Sequence, residues 1–109
     1  MVIVTEGEID CMSVSQIQNH KYPVVSISMG AGSAAKVLTK NLEYFSGFES
    51  VILMFDMDDA GQKAAQECAQ LFKPGKAKIA SLPLKDANEM LLANRGPELL
   101  DCMWKAKEY

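Results

Sequence analysis

Short apolar runs alternate with segments of helical spacing along this chain. Val2-Ile3-Val4-Thr5 reads as a short buried strand. Ile9 to Gln18 follows as a helix, with apolar Ile9, Met12, Val14 and Ile17 interrupted by polar positions. Asn19-His20-Lys21 closes it, and Tyr22-Pro23 feeds a second strand, Val24 to Ser28. Met29-Gly30-Ala31-Gly32-Ser33 is a small-residue turn, with Ser33 placed to cap a helix from Ala34 to Leu42. Ser46-Gly47 breaks that pattern. Val51 to Phe55 is five consecutive apolar residues, as expected at the centre of a parallel sheet. Asp59 is the expected N-cap of a helix from Ala60 to Phe72, which Lys73-Pro74-Gly75 ends. Ala77 to Leu82 is a weaker strand, stopped by Pro83. Lys85-Asp86-Ala87-Asn88-Glu89 begins a short helix reaching about Asn94, and Gly96-Pro97 restarts a last helix carrying Leu99, Leu100, Met103 and Trp104. The alternation predicts an α/β fold with about four parallel strands, right-handed crossovers and helices on both faces. The seven methionines and Trp104 read as core, and His20 as a surface residue.

Two of the apolar runs end in acid. The first leads into Glu6-Gly7-Glu8-Ile9-Asp10, the third into Asp56-Met57-Asp58-Asp59-Ala60-Gly61. Parallel strands deliver their carboxyl ends to one edge, where ligands bind, so Glu6, Asp56 and Asp58 are expected to converge. Close carboxylates repel by roughly 4 kcal/mol per pair at about 4 Å and an effective dielectric near 20. A site that gathers three calls for a cation, and all-oxygen ligands favour a hard ion, Mg²⁺ first. Asp86, after the fourth strand, is a candidate fourth acidic group. Plainer readings exist for each: acids favour helix amino ends, Glu8 and Asp10 suit a helix start, and Asp86 suits a cap. Gly30, Gly32 and Ser33 could offer backbone N–H groups to a phosphate, or form an ordinary strand-to-helix turn.

Composition narrows the options. The chain has 109 residues, half of them apolar, enough for one compact domain. No apolar run approaches the roughly 20 residues of a membrane span, and no signal peptide is visible. Cys11, Cys68 and Cys102 are far apart, form no zinc site and fit reduced thiols in a cytoplasmic domain. The formal net charge of −3 argues against strong nucleic-acid binding by this chain alone, although Lys36, Lys40, Lys73, Lys76 and Lys78 could form a local patch. The abrupt start on a strand suggests a piece of a longer protein, with Met1 a cloning addition.

A strand ending in Glu6-Gly7, then an apolar strand ending in Asp56-Met57-Asp58 about fifty residues later, resembles the Toprim domain. Asp56-Met57-Asp58-Asp59-Ala60-Gly61 and Lys85-Asp86-Ala87-Asn88-Glu89 look like its primase branch. Tyr22-Pro23-Val24-Val25-Ser26 and Ile52-Leu53-Met54-Phe55 extend the likeness to the bifunctional primase–helicases of T-odd short-tailed bacteriophages, from about Val2 to Trp104.

That resemblance implies a Rossmann-like Toprim fold over residues 1–109 and a share in template-directed RNA primer synthesis from ribonucleoside triphosphates. It implies that Asp56 and Asp58 hold Mg²⁺ (Mn²⁺ substituting) with Asp86 nearby. Glu6 would be a ligand or the base for the primer 3′-hydroxyl, and Lys36 or Lys85 would meet phosphates. The implied partners are single-stranded DNA, ribonucleoside triphosphates and the RNA primer. The implied parent is a ring-shaped homo-oligomer, in the bacterial host cytoplasm if phage-encoded. The zinc ribbon, the basic subdomain and the Walker motif of such enzymes are not in these residues. The chain alone is therefore expected to bind Mg²⁺ and nucleic acid weakly and to make little or no primer. Two rivals remain: a phosphatase of the haloacid dehalogenase type, suggested by Phe55-Asp56-Met57-Asp58, and a non-catalytic Toprim interaction module of a recombination or repair protein.

Overall fold

The structure is a computed structural model that describes residues 1–27 and 31–109. In chain order the elements are β1 (Val2–Thr5), α1 (Glu8–Ile17), β2 (Val24–Ser26), a 3-10 turn (Ala31–Ser33), α2 (Ala34–Lys40) and α3 (Leu42–Ser46). They continue with β3 (Val51–Leu53), α4 (Asp59–Ala69), β4 (Ala77–Ile79), α5 (Ala87–Leu92), α6 (Gly96–Trp104) and β5 (Lys107–Glu108). The sheet order is β2-β1-β3-β4-β5, with the first four strands mutually parallel and β5 antiparallel on β4. From β1 the chain turns outward to β2. From the neighbouring β3 it turns the other way, to β4. The gap between the carboxyl ends of β1 and β3 is therefore the topological switch point, where open α/β sheets form their binding crevice.

Alternation along the strands divides the core in two. Val2, Val4, Val51, Leu53 and Phe55 pack with Ala34, Leu38, Phe45, Ala64 and Cys68, so α2, α3 and α4 cover one face. Ile3, Ile52 and Met54 pack with Val14, Met90, Leu99 and Met103, so α1, α5 and α6 cover the other. Strands β1 and β3 are fully buried because both faces are covered, which is why their sequences are almost continuously apolar.

Several expectations are corrected. The helix expected over 34–42 is two helices, broken at Asn41, whose side-chain amide donates to the Val37 carbonyl at 2.8 Å and ends α2. Helix α1 does not bury all its apolar residues: Ile9 and Met12 are exposed, and the buried positions are Asp10, Ser13 and Val14. Trp104 is 56% exposed, with its ring edge-on to Tyr22 at 5.7 Å, so it is not core. Met54, Met90 and Met103 are buried as expected. Strand β5 carries no apolar pattern and is recognisable only through backbone pairing, Lys78 with Glu108 and Ile79 with Lys107. His20 is exposed, with its Nδ1 2.6 Å from Ser15 Oγ, and all three cysteines are free thiols.

Candidate metal centre

Each acidic side chain reaches the switch point for a local reason. Glu6 follows β1 directly, where Thr5 Oγ1 donates to the Gly7 carbonyl at 2.9 Å and tightens the exit turn. A Cβ on Gly7 would come within 3.2 Å of Asp10 Oδ2, so glycine lets the turn lie close to that carboxylate. Asp10 lies in the first turn of α1 on its inner face, 9% exposed, and its Oδ1 accepts from the Asn88 N–H at 2.9 Å. Asp56 follows β3. Its carbonyl accepts from Gln62 Nε2 at 3.0 Å, which ties the strand exit to α4. Asp86 caps α5, its Oδ1 accepting from the Glu89 N–H at 2.9 Å.

Carboxylate oxygens of Asp10, Asp56 and Asp86 all lie within 4.8 Å of one another. Glu6 completes the group. Its carboxyl is in hydrogen-bonding contact with Asp56, and its Oε1 is buried with no hydrogen-bond partner among the described residues. Burial, then the contact with Asp56, then the charges of Asp58 and Asp10 push the Glu6 carboxyl up to about 7. Asp10 is pushed up to about 6, chiefly by burial, with the Asn88 bond opposing and the Asp86 and Asp56 charges adding. Asp56 is also raised, by burial first and by its acidic neighbours. The Glu6 contact and the Lys85 charge act the other way. The Glu6–Asp56 contact thus raises Glu6 and opposes the rise of Asp56. Oxygen-only donors, mutually repelling and including one buried oxygen without a donor, fit a hard divalent cation.

The expected residues fare differently. Glu6, Asp56 and Asp86 come together. Asp58 lies close enough to raise both Glu6 and Asp56, yet its Oδ1 is committed to the Gly61 N–H at 2.7 Å. Asp58, not Asp59, is the N-cap of α4, and Asp59 lies in the first turn. Asp86 is both a cap and a member of the cluster, so its two readings coexist. Lys85 is exposed near Asp56, and Lys36 is exposed on α2. Among the described residues Ser33 makes no side-chain cap bond and nothing lies within 4 Å of a Cβ at Gly32. Gly30 lies outside the described residues. Asp10, which by residue type suits a helix start, also belongs to the cluster. Its signal was helical phase: Asp10, Val14 and Ile17 recur at i, i+4 and i+7, which puts an acid on the buried stripe.

Replacing Asp58 with alanine is expected to cost about 1 kcal/mol through loss of the cap, whereas Asp58→Asn, still an acceptor, changes stability by only a few tenths. Urea denaturation of the two variants checks this.

The raised carboxyls also set a pH dependence. Folding takes up protons wherever the folded chain holds them more tightly than the unfolded chain. The contribution of Glu6 and Asp10 is therefore fully present below about pH 4 and is lost as pH rises through about 6 to 7. After allowance for solvent screening at this open edge, the loss is expected to be on the order of 2 kcal/mol between pH 4.5 and pH 8. Metal-free denaturation across that range measures it, and saturating Mg²⁺ at pH 8 should restore most of it.

The strand that Asp56 follows is the third in chain order. Haloacid dehalogenase phosphatases are expected to carry their Asp-x-Asp on the first strand, so their arrangement is not the one found.

Residues 3–91 match the family described as Toprim-like. The chain is 49% identical over 108 residues to the DNA helicase/primase of Enterobacteria phage T3, covering 99% of this chain and 19% of that protein. It superimposes with a TM-score of 0.93 and 49% identity on a chain of the bacteriophage T7 lagging-strand DNA polymerase structure, in which the polymerase interacts with primase domains bound to an RNA/DNA hybrid and dTTP. That match covers 99% of this chain and 55% of that one. The primase fragment of the T7 primase-helicase protein matches with a TM-score of 0.89 and 50% identity, over 94% of this chain and 43% of that one. The Aquifex aeolicus primase, solved with its zinc binding and RNA polymerase domains, shares the fold at a TM-score of 0.68 and 20% identity, over 99% of this chain and 26% of that one. The chain thus spans about a fifth of the length of its T3 relative.

Proposed function

The chain belongs to the Toprim-like family, and from that premise we propose that residues 1–109 are the catalytic metal-binding domain of a DNA primase whose parent protein is also a replicative helicase. The observation that carries this reading is the meeting of Glu6, Asp10, Asp56 and Asp86 at the switch point between β1 and β3. Likeness to the T3 helicase/primase and to the T7 primase fragment supports it.

Asp10, Asp56, Asp86 and Glu6 would hold Mg²⁺, or Mn²⁺ in its place, with the uncommitted oxygen of Asp58 on the same rim. When bound, the metal supplies charge neutralisation for a triphosphate and its departing pyrophosphate. The protein groups do the rest. The Glu6 carboxyl, beside Asp56 at the sheet edge, can accept the proton of a primer 3′-hydroxyl. Lys85 and Lys36 offer exposed ammonium groups to phosphates, and Gly32 and Ser33 offer backbone N–H groups. With a net charge of −3, this domain leaves most of the grip on single-stranded template to other parts of the parent. That parent works on template, ribonucleoside triphosphates and nascent RNA as a ring-shaped homo-oligomer in the bacterial host cytoplasm. Among the described residues no helix is long and apolar enough to cross a membrane.

Primer synthesis tests the reading. The parent protein should extend ribonucleotides on a single-stranded template only with Mg²⁺ or Mn²⁺, and these 109 residues alone should make little or no product. Robust template-dependent synthesis by the 109-residue chain, or metal-independent synthesis by the parent, would contradict it.

A further inference from the structure

We infer that Met57, the residue between the two aspartates of Asp56-Met57-Asp58, is a positioning residue that sets the separation of Asp56 from Asp86 and hence the affinity of the acidic cluster for a divalent cation. This rests on the metal-binding reading proposed above. The cluster draws its carboxylates from three separate stretches: α1 and the turn before it, the exit of β3, and the segment between β4 and α5. No sheet hydrogen bond orders the last two against each other at this level, because β3 and β4 are paired only from Val51–Ala77 to Leu53–Ile79. Beyond that register the Ala80 N–H still reaches the Leu53 carbonyl at 3.0 Å.

From there on, the connection runs through Met57. Its backbone N–H donates to the Lys85 carbonyl at 2.7 Å, one residue before Asp86. Its thioether Sδ accepts from the Leu82 N–H at 3.2 Å. Leu82 is only 7% exposed, and its N–H has no other partner among the described residues. A buried donor without an acceptor is costly enough that the 82–86 segment would move to find one. A second donor, Gln62 Nε2, lies 3.8 Å from the same sulfur and also bonds the Asp56 carbonyl. One side chain therefore touches the exit of β3, the start of α4 and the segment bearing Asp86. Thioethers are weak acceptors, and an aliphatic residue would satisfy the packing of Met57 against the second core cluster just as well. The sulfur is what leucine lacks.

Two variants of the 109-residue chain separate this role from packing. Met57→Leu keeps volume and apolarity but removes the acceptor. Met57→Gln restores an acceptor of similar reach. The first readout needs no metal: amide exchange at Leu82 should quicken about tenfold or more in Met57→Leu and stay slow in Met57→Gln. The second uses Mn²⁺ alone, with affinity measured from the free-ion resonance signal. Groups that hydrogen-bond metal ligands directly are worth about 10–100-fold in affinity; the Met57 sulfur acts through the Leu82 N–H rather than on a ligand, so Met57→Leu should weaken Mn²⁺ binding at the low end of that range, about tenfold, and Met57→Gln by less than threefold. Leu99→Ala, a core truncation on α6, which gives no carboxylate to the cluster, should lower stability and leave Mn²⁺ affinity alone. Unchanged Leu82 exchange, unchanged Mn²⁺ affinity in Met57→Leu, or equal loss in Leu99→Ala overturns the role of Met57 while the metal reading stands. A wild-type chain that binds no Mn²⁺ overturns both.

Discussion

Asparagine at Asp56 is expected to lower primer synthesis by the parent protein at least about a thousandfold while making this chain more stable without metal. The two effects have one cause. At pH 8 the folded chain holds Asp56 against Glu6, beside the charges of Asp58 and Asp86. An amide at position 56 removes one charge from that crowd and can donate to the Glu6 carboxylate, so repulsion becomes a hydrogen bond. A gain of about 1–2 kcal/mol in metal-free stability at pH 8 is expected, in the range of a charge-assisted hydrogen bond. Activity moves the other way because a neutral ligand is lost from the centre of the cluster, and removal of one electrostatic stabiliser costs about 10²–10³ in rate before any loss of metal is counted. Thermal melting of the chain and primer gels on the parent read the two halves. An inactive variant that was also unstable would place Asp56 in the scaffold rather than the chemistry.

Alanine at Gly61 should do the reverse and damage the scaffold. A Cβ there would overlap the Asp56 carbonyl oxygen, and would lie 2.9 Å from the carbonyl carbon and 3.0 Å from the Asp56 Cβ. The neighbours are backbone, and they cannot swing aside: Gln62 holds the Asp56 carbonyl, and the Met54 N–H is bonded to the Val4 carbonyl at 2.9 Å. Alanine gains about 1 kcal/mol over glycine inside a helix, but a clash of this depth costs about 3 kcal/mol or more. The net loss should be at least about 2 kcal/mol by urea denaturation, with divalent-ion affinity falling as Asp56 is displaced. Gly32→Ala is the control. Among the described residues nothing lies within 4 Å of a Cβ at Gly32, so that variant should fold and bind metal like the wild type.

The same contact explains part of what the sequence did and did not disclose. Val2–Thr5 and Val51–Leu53 were legible because strands covered on both faces must be apolar at every position. The convergence of Glu6 with Asp56 followed from parallel strands sharing an edge. The identity of the α4 cap was not legible. Asp58 and Asp59 are equally good caps by residue type, and only the approach of Gly61 to the Asp56 backbone fixes the helix start one residue earlier. Asp10 went unrecognised as a cluster member because an acid in a first helical turn already has a sufficient local reason to be there. Its burial depends on Asn88, distant in sequence, supplying an N–H. Ile9, Met12 and Trp104 are apolar by type yet exposed, and residue type alone does not tell which stripe of a helix meets the core. Strand β5 is held by backbone pairing that leaves no side-chain pattern to read.

A Mg²⁺ titration of the isotope-labelled chain at pH 8, followed amide by amide in nuclear magnetic resonance spectra at constant ionic strength, bears most directly on the acidic cluster as a cation site. Saturable shifts confined to residues 6–10, 56–58 and 86–88, and absent in Asp56→Asn, are the expected result. Shifts scattered over the exposed acids, or a wild-type pattern that survives the asparagine, would mean that these carboxylates gather for some purpose other than holding a metal.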